Sequence, residues 1–145
     1  MHEYKARLAA QEEIPNIVEW THANRGKNFY DPEIFQYDST RIMAVDQDGS
    51  PIGYLPFQAT IMTESLAPKP ARTLREIAMM LKMAILQIAG WAKSAGMGEI
   101  YFLSHPDDVE TREFAKAHGY EELNLRVMRL KLKNVNPQPA VAAKE

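Results

Sequence analysis

The feature that most constrains this fold is a long amphipathic helix in the second half of the chain. Thr73 has the type and position of an N-cap, and Glu76 follows at the spacing of a capping box. Pro68 and Pro70 favour an extended entry into the helix, and Gly96 stands where a left-handed stop is expected. Apolar residues repeat with a period near 3.6 and predict a face packed on a core. They are Leu74, Ile77, Leu81, Ile85, Ile88 and Ala92.

Basic side chains surround the start of this helix. The free N–H groups and the positive end of the helix dipole favour an anion there. The sequence therefore predicts an anion-binding site at the helix start, and a solvated basic surface is the alternative. Its candidate residues are Lys69, Arg72, Thr73, Leu74 and Arg75.

The bulk composition is that of one globular domain. The chain has 145 residues, of which 46% are hydrophobic and 25% are charged. Residues 1–133 are predicted to form a single domain, because no linker divides them. Residues 134–145 are polar, proline-bearing and alanine-rich, and we expect a disordered C-terminal tail.

Charge and composition argue against several classes of partner. A net charge of −2 gives no electrostatic case for nucleic acid or an anionic membrane. No apolar run approaches the length of a membrane span, and no signal peptide opens the chain, so we expect a cytoplasmic protein. The chain has no cysteine, and its four histidines show no metal-ligand spacing. We therefore expect no metal site.

The first half of the chain predicts a strand, two helices and a hairpin. Residues 4–9 alternate like a strand, and residues 12–20 mark a helix closed by the segment at 25–28. Asp31 is the predicted cap of a second, short helix. Two apolar runs joined through Asp48-Gly49 predict a β-hairpin. In its second strand Pro56 favours an edge, a bulge or the strand's end.

Strands and a helix alternate in the second half. Residues 61–66 and 99–104 are predicted strands on either side of the long helix. Asp107 and Glu110 have the spacing of a second capping box, and the helix they begin is predicted to stop at Gly119. Apolar residues then alternate with one phase slip, which predicts a bulged strand or two short strands. They are Leu123, Leu125, Val127, Met128, Leu130 and Leu132.

The predicted fold class follows from this order of elements. The order β-α-α-β-β-β-α-β-α-β indicates an α/β or α+β domain. Its sheet is expected to be mixed and mostly antiparallel, with helices on both faces.

The element order and several segments resemble the GNAT superfamily of N-acetyltransferases. Residues 4–19 are similar to the family's opening strand and first helix, and residues 43–54 to its second hairpin. Residues 91–102 are similar to the end of its cofactor helix and its fifth strand, and residues 114–120 to the end of its last helix. The resemblance covers about residues 3 to 132.

The resemblance implies a cofactor, acetyl-CoA or another acyl-CoA, with its pyrophosphate on the start of the long helix. In the family that turn carries a basic residue or glutamine, with glycines at the third and fifth positions after it. If Arg72 is the first of these, Arg75 and Ile77 stand where the family has glycine. The family's last helix offers a tyrosine as general acid, and that position is Ala115 here.

Three residues are candidates for catalytic roles. Glu64 faces either solvent or a cleft, and in a cleft its carboxylate would accept the proton of an amine. Tyr120 and His105 are candidate acids in place of the missing tyrosine. Tyr120 has an alternative role as an aromatic beside a helix stop, and His105 as part of a strand-end turn. Tyr101 is a further candidate whose alternative is the core.

Two functions remain open from the sequence. The first is an acyl-CoA-dependent N-acyltransferase acting on an amine acceptor, either a small molecule or a protein. The second is a non-catalytic binding or assembly module that keeps the fold without the cofactor. A second seam on the long helix is either covered by another element of the same chain or is a dimer or partner surface, such as that of a homodimer. It comprises Met79, Met83, Leu86 and Gly90.

Overall fold

The computed structural model describes residues 1–23 and 31–136. The strands are β1 (Tyr4–Leu8), β2 (Thr40–Gln47), β3 (Ser50–Gln58), β4 (Ile61–Thr63) and β5 (Ile100–Phe102). The helices are α1 (Ile14–Ala23), α2 (Leu74–Ser94) and α3 (Val109–Ala117), and 3-10 turns occupy Gln11–Glu13, Pro32–Gln36 and Leu132–Asn134. The described chain divides into two compact units. Unit 1 comprises residues 1–61 and 90–100, and unit 2 comprises residues 62–89 and 101–136. One domain over residues 1–133 stays a prediction.

Unit 1 is built on an antiparallel sheet in the order β1-β2-β3. The predicted hairpin is confirmed: Gln47 pairs with Ser50, and the two residues between them have φ values of 52° at Asp48 and 85° at Gly49. Positive φ at both central positions defines the type I′ turn, which Asp-Gly favours because its twist matches that of the strands.

Strand β3 lies at one edge of this three-stranded sheet. It carries two prolines: Pro51 opposite Asp46 beside a bulge, and Pro56 opposite Ile42. Proline has no N–H for a ladder and is tolerated at an edge. Of the edge, bulge or strand end predicted from Pro56, the structure shows an edge strand.

The buried residues of unit 1 come from several of its elements. Ile17 of α1, Ala44 of β2 and Ala92 are buried, as is Ile34 in the 3-10 turn. Asp31 caps that turn by accepting a hydrogen bond from the Glu33 N–H at 3.0 Å, as predicted. The predicted end of the first helix at residues 25–28 lies outside the described residues.

Both predicted signals at the ends of α2 are confirmed. The Thr73 hydroxyl accepts from the Glu76 N–H at 3.2 Å, and the Glu76 carboxylate accepts from the Thr73 N–H at 2.7 Å. Beyond the last turn, Gly96 has a φ of 76°, the left-handed conformation of a helix stop.

The start of α3 differs from prediction by one residue. Asp108, not Asp107, is the N-cap, and its carboxylate accepts from the Thr111 N–H at 3.1 Å. The Asp107–Glu110 spacing was misleading because Asp108 and Thr111 have the same spacing one residue later. Gly119 ends this helix region with a φ of 90°, as predicted.

The predicted last strand is wrong, because residues 120–131 form no strand. None of the N–H groups of residues 121–131 donates to a backbone carbonyl of the described chain. The apolar residues alternate as in a strand, but among the described residues no neighbouring strand accepts their backbone hydrogen bonds. The predicted tail at 134–145 falls outside the described residues from 137 onward.

The predicted fold class is confirmed: the described residues form a mixed α/β architecture with three α-helices and an antiparallel sheet. Helices on both faces of the sheet stay a prediction. None of the described helices has both the length and the apolar character needed to cross a bilayer.

Candidate functional site

Strands β4 and β5 form a two-stranded sheet whose hydrogen bonds place their carboxyl ends together. The Thr63 hydroxyl donates to the Tyr101 carbonyl at 3.3 Å, and the Leu103 N–H donates to the Thr63 carbonyl at 3.2 Å. In unit 1 the Thr60 hydroxyl donates to the Glu99 carbonyl at 2.8 Å. Thr63 is bonded to both Tyr101 and Leu103, the residues on either side of position 102. One residue bonded to two residues that flank a position on the next strand is the pattern of parallel strands. Ligands of α/β sheets bind outside such carboxyl ends.

The start of α2 follows the carboxyl end of β4 and has donors to offer. Four N–H groups at a helix start have no partner within the helix. The capping box occupies those of Thr73 and Glu76. The N–H groups of Leu74 and Arg75 donate to no backbone carbonyl among the described residues. Two adjacent donors therefore remain for a ligand.

The side chains at this helix start are mostly cationic. Lys69, Arg72 and Arg75 are all exposed. Arg72 forms an ion pair with Glu76, with Nη1 and Oε1 3.4 Å apart. Ala71, which directly precedes Arg72, has a φ of 65°. This left-handed conformation costs a residue with a β-carbon roughly 1–2 kcal/mol.

This donor set fits a phosphate group incompletely. Two N–H groups and three cations favour an anion. The Glu76 carboxylate opposes anion binding, because it occupies the Thr73 N–H group and its own negative charge repels an anion. The side chains of Arg75 and Ile77 keep a phosphate farther from the backbone than glycine would. The predicted anion site thus has the charge for a diphosphate but a looser cradle.

Glu64 and His105 follow the paired ends of β4 and β5. Glu64 comes directly after Thr63 and is exposed. His105 is also exposed, and its Nδ1 accepts from the Asp107 N–H at 3.2 Å while lying 3.5 Å from the Asp107 carboxylate. The strand-end turn expected for His105 is therefore what the structure shows, while a catalytic role stays a prediction.

Tyr120 is the candidate whose surroundings are most unusual. Its N–H donates to the Ala115 carbonyl at 3.0 Å, and its ring packs edge-to-face on Phe102 with centroids 6.1 Å apart. Its hydroxyl oxygen is buried and has no hydrogen-bond partner in the described chain. Burial raises the pKa of Tyr120, so the hydroxyl keeps its proton at neutral pH. Nothing in the sequence around Tyr120 signals this.

Sequence analysis also missed a polar cluster in unit 1. The guanidinium of Arg7 donates to both oxygens of Glu13 at 2.7 and 2.9 Å and to both of Asp46 at 2.8 and 3.2 Å. The Tyr54 hydroxyl donates to Glu13 at 2.9 Å, and the Trp20 ring lies 5.2 Å from that of Tyr54.

The role of this cluster is structural, because Arg7 links Glu13 to Asp46 within unit 1. The bonds from Arg7 outweigh burial and lower the pKa of Glu13 from 4.5 to about 2, with help from the Ala10 N–H and Tyr54. Both carboxylates are thus satisfied within the unit. Arg7 and Asp46 are paired only by the register of β1 and β2, which sequence does not reveal.

Comparison with solved structures finds several N-acetyltransferases. The chain is similar to an aminoglycoside N-acetyltransferase, AAC(6')-Iy, in complex with a bisubstrate analogue containing CoA: the TM-score is 0.41 at 17% identity, over 89% of this chain and 98% of that chain. It is similar to an integron cassette protein from the mobile metagenome of V. cholerae, with a TM-score of 0.41 at 10% identity, over 88% and 92%. For a ribosomal-protein-alanine N-acetyltransferase of Brucella melitensis biovar Abortus the TM-score is 0.35 at 12% identity, over 88% and 100%.

No protein-family model matches the chain, and no curated protein matches it.

Proposed function

We propose that this protein is an N-acyltransferase that takes its acyl group from acyl-CoA and gives it to an amine. The observation that carries the proposal is the start of α2, where the Leu74 and Arg75 N–H groups meet no backbone acceptor among the described residues and lie beside three cations. That helix start follows the carboxyl end of β4, the edge at which α/β sheets bind ligands.

Each residue at the helix start has a distinct task in binding. Acyl-CoA, when bound, supplies a thioester-activated acyl group and a diphosphate. The Leu74 and Arg75 N–H groups would donate to the diphosphate, and the Lys69 and Arg75 side chains would balance its charge. Arg72 divides its charge between the ligand and Glu76.

Two side chains are proposed to handle protons. Tyr120 keeps its proton on a buried hydroxyl that has no acceptor of its own in the described chain, and it is the proposed donor to the sulfur leaving group. Glu64, exposed after the last paired residue of β4, is the proposed acceptor of the amine's proton. The amine acceptor itself is a small molecule or a protein.

One observation favours the alternative, a non-catalytic module. The Glu76 carboxylate lies on the Thr73 N–H at 2.7 Å and pairs with Arg72, so a negative charge stands where a diphosphate would bind. If that carboxylate stays in place, the helix start is a structural cap and nothing more.

Thermal unfolding with acetyl-CoA tests the binding step. A ligand at a hundred times its Kd adds about 2.7 kcal/mol to the free energy of unfolding. We expect a rise in Tm for the natural protein and its loss in the Arg72→Gln, Arg75→Gln double variant. The matched control is Lys82→Gln, Lys93→Gln, which removes two charges farther along α2. No shift at millimolar acetyl-CoA would retire the transferase proposal.

Glu76→Gln separates the two functions. Removing its charge frees the helix start for an anion, so acetyl-CoA should bind about two- to fivefold tighter. The same change weakens the cap and should lower the Tm of the free protein. If binding is absent in both proteins, the helix start serves only as a cap.

Tyr120→Phe tests the proton donor. Proton transfer by a positioned side chain contributes about 10²–10⁴-fold, so kcat should fall by at least about 10²-fold with little change in KM. The Tm should not fall, because the hydroxyl has no hydrogen bond to lose within the described residues. Tyr4→Phe, at an exposed tyrosine of β1, is the control. An unchanged kcat in Tyr120→Phe would assign the proton to another group.

A further inference from the structure

Unit 1 contains a cavity of about 560 Å³ between the first turn of α1 and the start of β2. This volume lies within the range of small-molecule sites. Its wall is about equally polar and apolar, because half of the described lining residues carry polar or charged side chains. Its apolar lining includes Ile14, Phe35 and Ile42, and its polar lining includes Gln11, Asp38 and Arg41.

Opposite charges share the wall of this cavity without pairing. Arg41 donates through Nη1 to the carbonyls of Asp38 and Thr40 at 2.7 and 2.8 Å. These bonds fix the guanidinium, while its Nε and Nη2 meet no acceptor in the described chain. The Asp38 carboxylate likewise accepts no hydrogen bond from the described residues, and no ion pair joins it to Arg41 there. A cation and an anion that have no salt-bridge partner among the described residues therefore line one cavity.

The wall that carries Asp38 is held in place by the loop after α2. The Ser39 N–H donates to the Gly96 carbonyl at 3.2 Å, and a β-carbon on Gly96 would lie 2.8 Å from that of Asp38. The Tyr37 hydroxyl also reaches a Glu99 carboxylate oxygen at 3.4 Å. Because both glycine packing and hydrogen bonds hold this segment, the charged residues are positioned before a ligand arrives.

We propose that this cavity binds a free α-amino acid with a large apolar side chain. Its carboxylate would pair with the open edge of the Arg41 guanidinium and its ammonium with Asp38, while its side chain packs against Ile14, Phe35 and Ile42. A zwitterion satisfies both charges at once, whereas a simple acid or amine leaves one of them without a partner.

This site belongs to unit 1 and does not depend on the proposed transferase function. Binding of an amino acid to the cavity needs no acyl-CoA. An amino acid that binds in protein showing no response to acetyl-CoA would leave this proposal standing while the transferase proposal fails.

Titration with L-phenylalanine, followed by methyl NMR of the full chain, tests the proposal. We expect the methyl signals of Ile14 and Ile42 to shift with a Kd of about 1 mM, while those of Ile77 and Ile85 on α2 stay in place. Phenethylamine and 3-phenylpropionate each lack one charge and should bind at least about tenfold more weakly. Equal binding of all three would show an apolar cavity with no charge recognition, and no shift with L-phenylalanine would overturn the site altogether.

Two variants test the charged residues separately. Asp38→Asn should weaken L-phenylalanine binding at least about tenfold and leave 3-phenylpropionate unaffected. Arg41→Gln should also weaken L-phenylalanine binding, but it should leave the binding of phenethylamine unaffected. Asp107→Asn and Arg126→Gln remove the same charges at exposed positions of unit 2 and are the controls. Unchanged affinity in either cavity variant would contradict the proposal, and the ligand series on the natural protein tests it even if a variant fails to fold.

Discussion

Gly98 lies so close to the ring of Tyr37 that only a residue without a side chain fits at this position. A β-carbon there would overlap three carbons of the ring. The ring is itself held, because the Tyr37 hydroxyl bonds to Glu99. This contact ties the loop after α2 to the segment before β2 in unit 1.

Gly98→Ala is therefore expected to destabilise the protein. Overpacking typically costs about 1–3 kcal/mol, and the free energy of unfolding in urea should fall by that amount. Gly90→Ala is the control, because a β-carbon at Gly90 meets no atom within 4 Å and alanine favours a helix by about 1 kcal/mol. Equal effects of the two substitutions would contradict the packing argument.

The Arg7–Glu13 pair gives the protein a defined response to acid. Hydrogen bonds from Arg7 lower the pKa of Glu13 from 4.5 to about 2 in the folded state. A depressed folded pKa contributes stability above the unfolded value, and that stability is lost as the pH falls from about 4.5 to about 2. The free energy of unfolding should therefore decline across this window.

Glu13→Gln should flatten that decline and cost about 2 kcal/mol at pH 7, because a charged hydrogen-bond acceptor is removed. Urea unfolding at several pH values measures both effects. Glu12→Gln alters a neighbouring exposed carboxylate and serves as the control. A pH profile that is the same in the natural protein and Glu13→Gln would rule out this origin.

At the scale of elements, helix caps are local and specific. Asp108 caps α3, and the Thr111 side chain and N–H lower its pKa. Asp108→Ala should lower the Tm by about 3 °C, because the Thr111 N–H loses its acceptor. Asp107→Ala should leave the Tm within about 1 °C. Differential scanning calorimetry of both proteins measures this, and a larger effect from Asp107 would restore the original assignment of the cap.

The predictions that succeeded depend on short stretches of sequence. The Thr73–Glu76 box, the Asp48-Gly49 turn and the stop at Gly96 are each set by neighbours along the chain. Asp31 was predicted in the same way. Such elements are foreseeable because their hydrogen bonds close within a few residues.

Of the predictions that failed, the last strand depends on a distant partner and the α3 cap on two competing local spacings. The alternation from Leu123 to Leu132 satisfied the pattern of a strand, but a strand also needs a neighbour for its N–H groups, and 121–131 have none among the described residues. The cap at Asp107 failed because two overlapping spacings compete. The cavity at Asp38 and Arg41 arises from segments far apart in sequence, so no motif announces it.

For the whole molecule, the state of association remains a prediction. Met79, Met83 and Leu86 on α2 are 55, 61 and 59% exposed, as a homodimer surface would be. Sedimentation equilibrium should then find a dimer that Met83→Glu dissociates, since a buried unpaired carboxylate is costly. Lys82→Glu changes the next residue and should leave the dimer intact. A monomer at about 100 µM would remove the homodimer prediction.

The two prolines of β3 bear on how the protein behaves when it is concentrated. An edge strand is a row of unused amide groups on which another chain can extend the sheet, the first step toward fibrils. Pro51 and Pro56 take two donors out of that row within a nine-residue strand. This edge of the sheet therefore lacks two of its amide donors, and chains crowded together during refolding find no continuous template along β3.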